Sequence, residues 1–213
     1  MRLEWLAEDA LIARDLPAPP HVLASLLEST PPPGLVEVVA AYETLGIFVD
    51  PDQTSLDQVR QWLEELQPGD AAPGRRHEVP VCYDLGEDLP RVCDLLDLSH
   101  QELVRLHTES VFQCFAIGFC PGFPYLGHLP DRLAGLPRLP SPRPRVPAGS
   151  VAITGRQTGI YPLQRPGGWN LIGRTPLTLV DVESDYFPIV AGDEVRFFAV
   201  TSSEYESLLG GRL

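Results

Sequence analysis

Between Pro121 and Pro147 a proline or glycine falls every few residues, so no long helix fits there and the chain has to turn repeatedly. Short β-rich runs follow at residues 151–154, 159–163, 169–173, 176–180 and 194–200, each bounded by turn residues. Short strands at that spacing build a barrel or a sandwich. Residues 111–119 form an apolar run with aromatics, the pattern of a buried strand leading into this region. Ala191-Gly192-Asp193, just before the last run, reads as a plain turn.

The first part of the chain has a different texture. Val22, Leu23, Leu26 and Leu27 recur at helical spacing behind Pro19-Pro20, which suits a helix start. Residues 36–42 and 44–49 are β-rich runs with a very short join, the signature of a hairpin. Ser55 with Gln58 three residues later makes a capping box ahead of the stripe Leu56, Val59, Trp62, Leu63 and Leu66. Pro68-Gly69 stops that helix, residues 70–76 read as a polar connector, and 78–83 as a further strand. With a first strand near residues 3–6, the order is βαββαβ, an α+β domain of the split-βαβ kind over residues 1–83. Residues 84–213 make the second, all-β domain. At its start lie a helix over 90–96 and a second one opened by the Ser99–Glu102 capping box. His100 and His107 share a face of the latter, and without a third ligand nearby they read as surface or capping histidines rather than a metal pair.

Composition removes several chemistries. All sixteen basic residues are arginine, so no Walker A loop can be completed, and neither a lysine Schiff base nor a Ser–Lys amidohydrolase centre can form. Cys82, Cys93, Cys114 and Cys120 show neither CxxC spacing nor a paired rhythm, which fits reduced, buried thiols of a cytoplasmic protein better than a disulfide framework or a zinc ribbon. No apolar run reaches membrane-spanning length, and a net charge of −13 disfavours nonspecific binding to nucleic acid or anionic lipid.

The charge is unevenly spread. Residues 132–180 hold seven arginines and no Asp or Glu, leaving nine arginines against all twenty-nine acids elsewhere. Such a window suits an anion held by guanidinium groups and by backbone N–H groups in glycine turns, or docking onto an acidic partner. Three phrases within it carry the candidate site. In the first, prolines on both sides fix the backbone around Arg145, with the Ser150 hydroxyl a short way downstream. The second, Gly155-Arg156-Gln157-Thr158-Gly159-Ile160-Tyr161, offers neutral hydrogen-bonding groups suited to an amide. The third, Pro166-Gly167-Gly168-Trp169-Asn170-Leu171-Ile172-Gly173-Arg174-Thr175-Pro176, supplies Trp169 as a pocket floor and Arg174 and Thr175 as anion contacts. Upstream, Phe119, Pro121, Phe123 and Tyr125 read as a groove lip or partner surface. Ser150 lacks the G-x-S-x-G context of a nucleophile elbow. His128 is a lone loop histidine, and no nucleophile–base pair is recognisable.

In this order the phrases resemble the KipI family, the B-type subunits of 5-oxoprolinase, also called allophanate hydrolase subunit 1 or carboxyltransferase domain, subdomains C and D. The resemblance rests on Gly118-Phe119, Pro121-Gly122-Phe123, Tyr125-Leu126-Gly127, residues 145–151, residues 157–162, Pro166-Gly167-Gly168-Trp169 and residues 172–176. Cys120 and Asn170 depart from the family's usual pattern. The resemblance implies a small α+β domain followed by a cyclophilin-like β-barrel. It implies association with the homologous C-type subunit (KipA) and with an A-type subunit in ATP-dependent cleavage of 5-oxoproline to glutamate, with ATP shared among them. Two other roles occur among such proteins: inhibition of a sensor histidine kinase, and carboxyl transfer in urea carboxylase. On this reading Arg145, Arg174 and the Gln157–Tyr161 loop bind a small anionic amide or acyl phosphate at the barrel surface facing the partner, with Ser150 and Thr175 adding hydroxyl donors.

Overall fold

The computed structural model describes residues 1–70 and 73–213, so the connector expected at 70–76 lies partly outside the described residues. The chain forms two compact units, Met1–Gly74 and Arg75–Leu213.

The first unit contains β1 (Arg2–Trp5), β2 (Ala10–Arg14), α1 (Pro20–Ser29), β3 (Leu35–Ala41), β4 (Thr44–Val49) and α2 (Leu56–Glu65). Its strands pair antiparallel in the order β1-β2-β4-β3. Alternation along β4 buries Leu45, Ile47 and Val49, while α1 contributes Leu23 and Leu27 and α2 contributes Val59 and Leu63. The Ser55–Gln58 capping box forms as the sequence indicates. The element order differs from βαββαβ in two ways. A second strand, β2, precedes α1; its run Ala-Leu-Ile-Ala is short and set among acids, yet Leu11 and Ala13 are fully buried. The strand expected at 78–83 is not part of this unit.

That strand is β5 (Arg76–Val81), and it opens the second unit. Then come α3 (Leu89–Leu96), α4 (His100–Glu109), β6 (Val111–Ile117), β7 (Pro124–Gly127), β8 (Arg143–Val146), β9 (Ser150–Thr154), β10 (Gln157–Ile160), β11 (Arg165–Gly167), β12 (Asn170–Arg174), β13 (Glu194–Ala199) and α5 (Ser202–Ser207). Antiparallel pairing runs β13-β6-β7-β10-β9-β12, and β5 joins β13 in parallel, with Glu194 opposite Arg76 and Ala199 opposite Val81. Strands β8 and β11 form a separate two-stranded ribbon. Among the described residues the regular ladder stays open between β12 and β5. One antiparallel bridge spans that gap: Cys82 N–H donates to the Arg174 carbonyl at 2.9 Å and Arg174 N–H returns to the Cys82 carbonyl at 3.0 Å. The unit is thus a mostly antiparallel sheet with few helices. Residues 176–180, expected as a strand, make only an isolated bridge at Thr178, because its partner there is Arg212 near the C-terminus rather than a neighbouring strand.

The core of this unit gathers Phe112, Leu126, Val151, Ile153, Ile160, Ile172 and Phe197, all fully buried, under Leu89 and Val92 of α3 and Leu103 of α4. All of β9 is buried, as befits the strand between β10 and β12. Two side chains to which the sequence assigns no structural part organise this core. Asp193, in the supposed plain turn, is 1% exposed. It accepts hydrogen bonds from Arg75 N–H (2.8 Å), His77 Nε2 (2.9 Å) and Val190 N–H (3.0 Å). His107, expected at the surface, is fully buried and stacks on Phe197 at 4.6 Å. The helical face it shares with Leu103 turns inward, and two hydroxyls satisfy its ring nitrogens.

Candidate functional site

Phe123 sits at the centre of an aromatic cluster. Its ring centroid lies 5.0 Å from Tyr125, 5.2 Å from Tyr161, 5.4 Å from Trp169 and 5.5 Å from Phe119, each contact edge-to-face. The geometry matches the ring quadrupoles, and such pairs stabilise by about 0.5–1.5 kcal/mol each beyond the area they bury. Phe123 and Tyr125 come from the turn and strand around β7, Tyr161 from the end of β10, and Trp169 from between β11 and β12. Phe123, Tyr161 and Trp169 are buried, whereas Phe119 is 57% exposed in a turn with φ of 65°.

Glycines make room for this cluster. A Cβ on Gly159 would lie 2.9 Å from the Pro124 carbonyl, 3.0 Å from Phe123 and 3.1 Å from Trp169. A Cβ on Gly167 would overlap the Tyr161 phenol. What remains open is a cavity of about 320 Å³, walled by the aromatic side chains, by Gly167 and Gly168, and by Leu139 and Pro142 from the proline-rich segment. Arg138 is the charged residue in the wall, and no ion pair or hydrogen bond engages it among the described residues. Burial raises the Tyr161 phenol, against the Trp169 N–H and the charges of Arg138 and Arg143, so it stays protonated near neutral pH.

Beside the cavity lies a polar knot. Asp88, just before α3, accepts from the Leu171 N–H (2.7 Å) and from Arg143 Nη2 (2.7 Å), with Arg91 3.6 Å away. Glu87 approaches the other side of Arg143 at 3.4 Å, and the buried Nη1 of Arg143 has no partner. Asn170 is 1% exposed; it donates to the Pro137 and Ile153 carbonyls and accepts from Arg91. Its amide is a structural plug that ties the Pro137 loop to β9.

The fully buried His107 reaches toward β10 from α4. Tyr83 Oη lies 2.7 Å from Nδ1 and Thr158 Oγ1 lies 3.0 Å from Nε2. Thr158 donates its proton to the Ala152 carbonyl, so it accepts from His107 Nε2–H, and Nδ1 then accepts from Tyr83. Burial lowers the imidazole to about 3, so it is neutral and internally satisfied. The thiols follow the same logic. All four cysteines are buried and unbridged, and burial raises Cys93, Cys120 and Cys114, the last to about 12.

The structure brings together only some of the residues singled out in sequence. Phe119, Phe123, Tyr125, Tyr161 and Trp169 meet at the cavity; Arg145, Gln157, Arg174 and Pro121 are not in its wall. Ser150, Thr158 and Thr175 are buried in the sheet interior, with Thr158 committed to His107 and Ala152. Arg145 is exposed and Arg174 half-buried, its Nε donating to the Ala148 carbonyl at 2.9 Å. Within the acid-free window three arginines are neutralised by acids from outside it: Arg132 by Glu102, Arg143 by Glu87 and Asp88, and Arg156 by Asp131. Nothing in the sequence distinguishes Arg138 from the other arginines of the window. Its only local signal is its place among the prolines that shape the cavity rim.

The family model described as carboxyltransferase domain, subdomain C and D, matches residues 7–189. The chain belongs to this family. It is 37% identical over 204 residues to the 5-oxoprolinase B subunit of Bacillus subtilis (strain 168), covering 88% of this chain and 85% of that one. It is 42% identical over 176 residues to the 5-oxoprolinase B subunit of Escherichia coli O157:H7, covering 78% of each. In the crystal structure of TTHA0988 the matching region superposes with a TM-score of 0.82 at 41% identity, over 90% of this chain and 40% of that one. The chain therefore spans about two fifths of the length of TTHA0988. These relatives agree with the family that the ordered phrases of residues 118–176 resemble.

Proposed function

We propose that this chain is the B subunit of a cytoplasmic, ATP-dependent 5-oxoprolinase, working with a C-type (KipA-like) partner and an A-type partner to cleave 5-oxoproline to glutamate. The observation that carries the reading is the identity of 37% and 42% to two bacterial proteins named as the B subunit of 5-oxoprolinase, over most of both chains. The site's chemistry supports a part of a larger enzyme rather than a self-sufficient hydrolase. The aromatic cavity can hold a small molecule, but the buried histidine is neutral and fully bonded and the thiols are raised by burial. Nucleophile activation and most phosphate contacts therefore fall to the partner subunits. ATP, having no lysine to meet here, would touch this chain through arginines and backbone N–H groups. Arg145 and Arg174 keep the anion-binding role in this reading, directed at the shared face, while Gln157 lies at the far end of β9 from Arg174; Ser150, Thr158 and Thr175 are buried beneath them. The second unit is read as an open relative of a cyclophilin-like barrel, in which the single Cys82–Arg174 bridge spans the gap between β12 and β5.

Exposure of Phe119 favours one other role, inhibition of a sensor histidine kinase through the Phe119–Tyr125 surface. A carboxyl-transfer role has weaker support, a 28% identical match covering 9% of a putative urea carboxylase. Reconstitution with the A-type and C-type partners separates them. Phosphate release and glutamate formation that both depend on 5-oxoproline are the expected result. Phosphate release indifferent to 5-oxoproline overturns the reading.

A further inference from the structure

We infer that the Phe123–Trp169 cavity is a binding site for a small carboxylate with a compact, uncharged ring, the carboxylate on Arg138 and the ring on the aromatic floor. The inference rests on the 5-oxoprolinase reading and deepens it, by naming where this chain holds the substrate class.

Four observations converge. The cavity is a built feature: Gly167 lies so close to the Tyr161 phenol, and Gly159 to Phe123 and Trp169, that any side chain at either position would displace the wall. Its volume of about 320 Å³ stands at the small end of the range for ligand sites, roughly 300–1,000 Å³, which selects a small guest. Its walls are aromatic or aliphatic, with no Asp or Glu among the lining residues, so an apolar ring is welcome and an ammonium group is not. Arg138 is a guanidinium at the rim with no carboxylate to pair with.

Electrostatics favour an anion over a neutral guest. Arg143 stands next to the lining residue Pro142 and opposite Gly167 in the β8–β11 register, and its charge is felt at Tyr161 together with that of Arg138. Asp88 and Glu87 engage two of its nitrogens, while the buried Nη1 is left without an acceptor. A purely apolar guest would cover Arg138 without pairing it, which is unfavourable; a carboxylate accepts from its planar fork. The Tyr161 phenol, neutral at the edge of the cavity, offers a hydrogen bond to a ring carbonyl or amide. 5-Oxoproline has this set of groups, and cyclopentanecarboxylate has the ring and the carboxylate without the lactam.

The test uses the full chain labelled with ¹⁵N, following the indole N–H of Trp169, one of three tryptophans, assigned by comparison with Trp169→Phe. Titration with 5-oxoproline and with cyclopentanecarboxylate should shift this signal saturably, whereas 2-pyrrolidinone, which lacks the carboxylate, should bind at least about 10-fold more weakly. Arg138→Gln should weaken both carboxylates about 10-fold or more, and Arg138→Lys should recover part of the loss. Arg138 is exposed, so an unchanged thermal midpoint shows that the fold survives. Absence of a Trp169 shift with any carboxylate, in the chain and in the reconstituted complex, overturns the inference. So does a complex that cleaves 5-oxoproline with wild-type kcat/KM in Arg138→Gln, and there the 5-oxoprolinase reading stands while the site falls. Arg138-dependent binding of cyclopentanecarboxylate by a complex that does not cleave 5-oxoproline supports the site and removes the enzyme reading.

Discussion

His107 is fully buried and packed between the rings of Phe112 and Phe197. Seven residues from His100, it sits on a definite helical face, but spacing does not say whether that face meets water or core. The core decides: Phe112 and Phe197 flank the ring, Tyr83 and Thr158 bond its nitrogens, and none of these neighbours carries charge at neutral pH. Burial depresses the imidazole from 6.5 to about 3. The unfolded chain therefore takes up this proton first as pH falls. The stability held by neutral His107 is complete above about pH 6.5 and is lost progressively toward pH 3. Each unit in that window costs about 1.4 kcal/mol for one proton, so lowering the pH from about 6.5 to about 5 removes about 2 kcal/mol. In urea unfolding at a series of pH values, His107→Gln should be less stable than wild type at about pH 7, with the gap narrowing by about that amount at about pH 5. Parallel pH profiles for the two proteins would show that His107 is not the titrating group.

At the scale of elements, local chemistry was legible and distant pairing was not. Ser55 with Gln58 and Ser99 with Glu102 do cap α2 and α4, because a capping box is completed within four residues. The β3–β4 hairpin was legible for the same reason. Strand β5 is legible as a local β-rich run, but its partner is β13, more than a hundred residues away and parallel, and nothing in a local apolar run specifies such a partner. Asp193 is the device that fixes this pairing. One carboxylate gathers Arg75 N–H and His77 at the start of β5 and Val190 N–H before β13. Asp193→Ala strands three buried or half-buried donors, and the expected cost is about 3 kcal/mol from unsatisfied groups and lost charge-assisted bonds. The change should lower the urea midpoint and speed hydrogen exchange at the amides of Arg75 and Val190. Unaltered protection at both amides would mean that the β5–β13 ladder holds without the anchor.

For the whole molecule, the order of glycine- and aromatic-rich phrases was enough to indicate the family, because several of them answer to a steric demand at the cavity. Gly159 and Gly167 cannot be replaced without moving Trp169 or Tyr161, and Phe123 centres the ring cluster. Which arginine faces that cavity was not legible, since seven share one acid-free window and only folding distributes them. Three find acids from outside the window, and the other four, Arg138, Arg145, Arg165 and Arg174, pair with no acid among the described residues. That distribution leaves a local excess of positive charge on a chain of net charge −13. Such an excess steers an acidic partner toward one face, and steering of this kind weakens once the Debye length falls from about 10 Å at 0.1 M salt toward 3 Å at 1 M. Assembly with the proposed C-type partner should therefore have an association rate that drops several-fold between about 50 and 300 mM NaCl, and Arg145→Glu should lower both that rate and its salt dependence. The dissociation rate should change much less, because exposed charges act mainly on encounter rather than on the packed interface. Stopped-flow mixing of the two proteins measures both rates. Association indifferent to salt in the wild type, or a salt dependence that survives Arg145→Glu unchanged, would remove Arg145 from the docking surface.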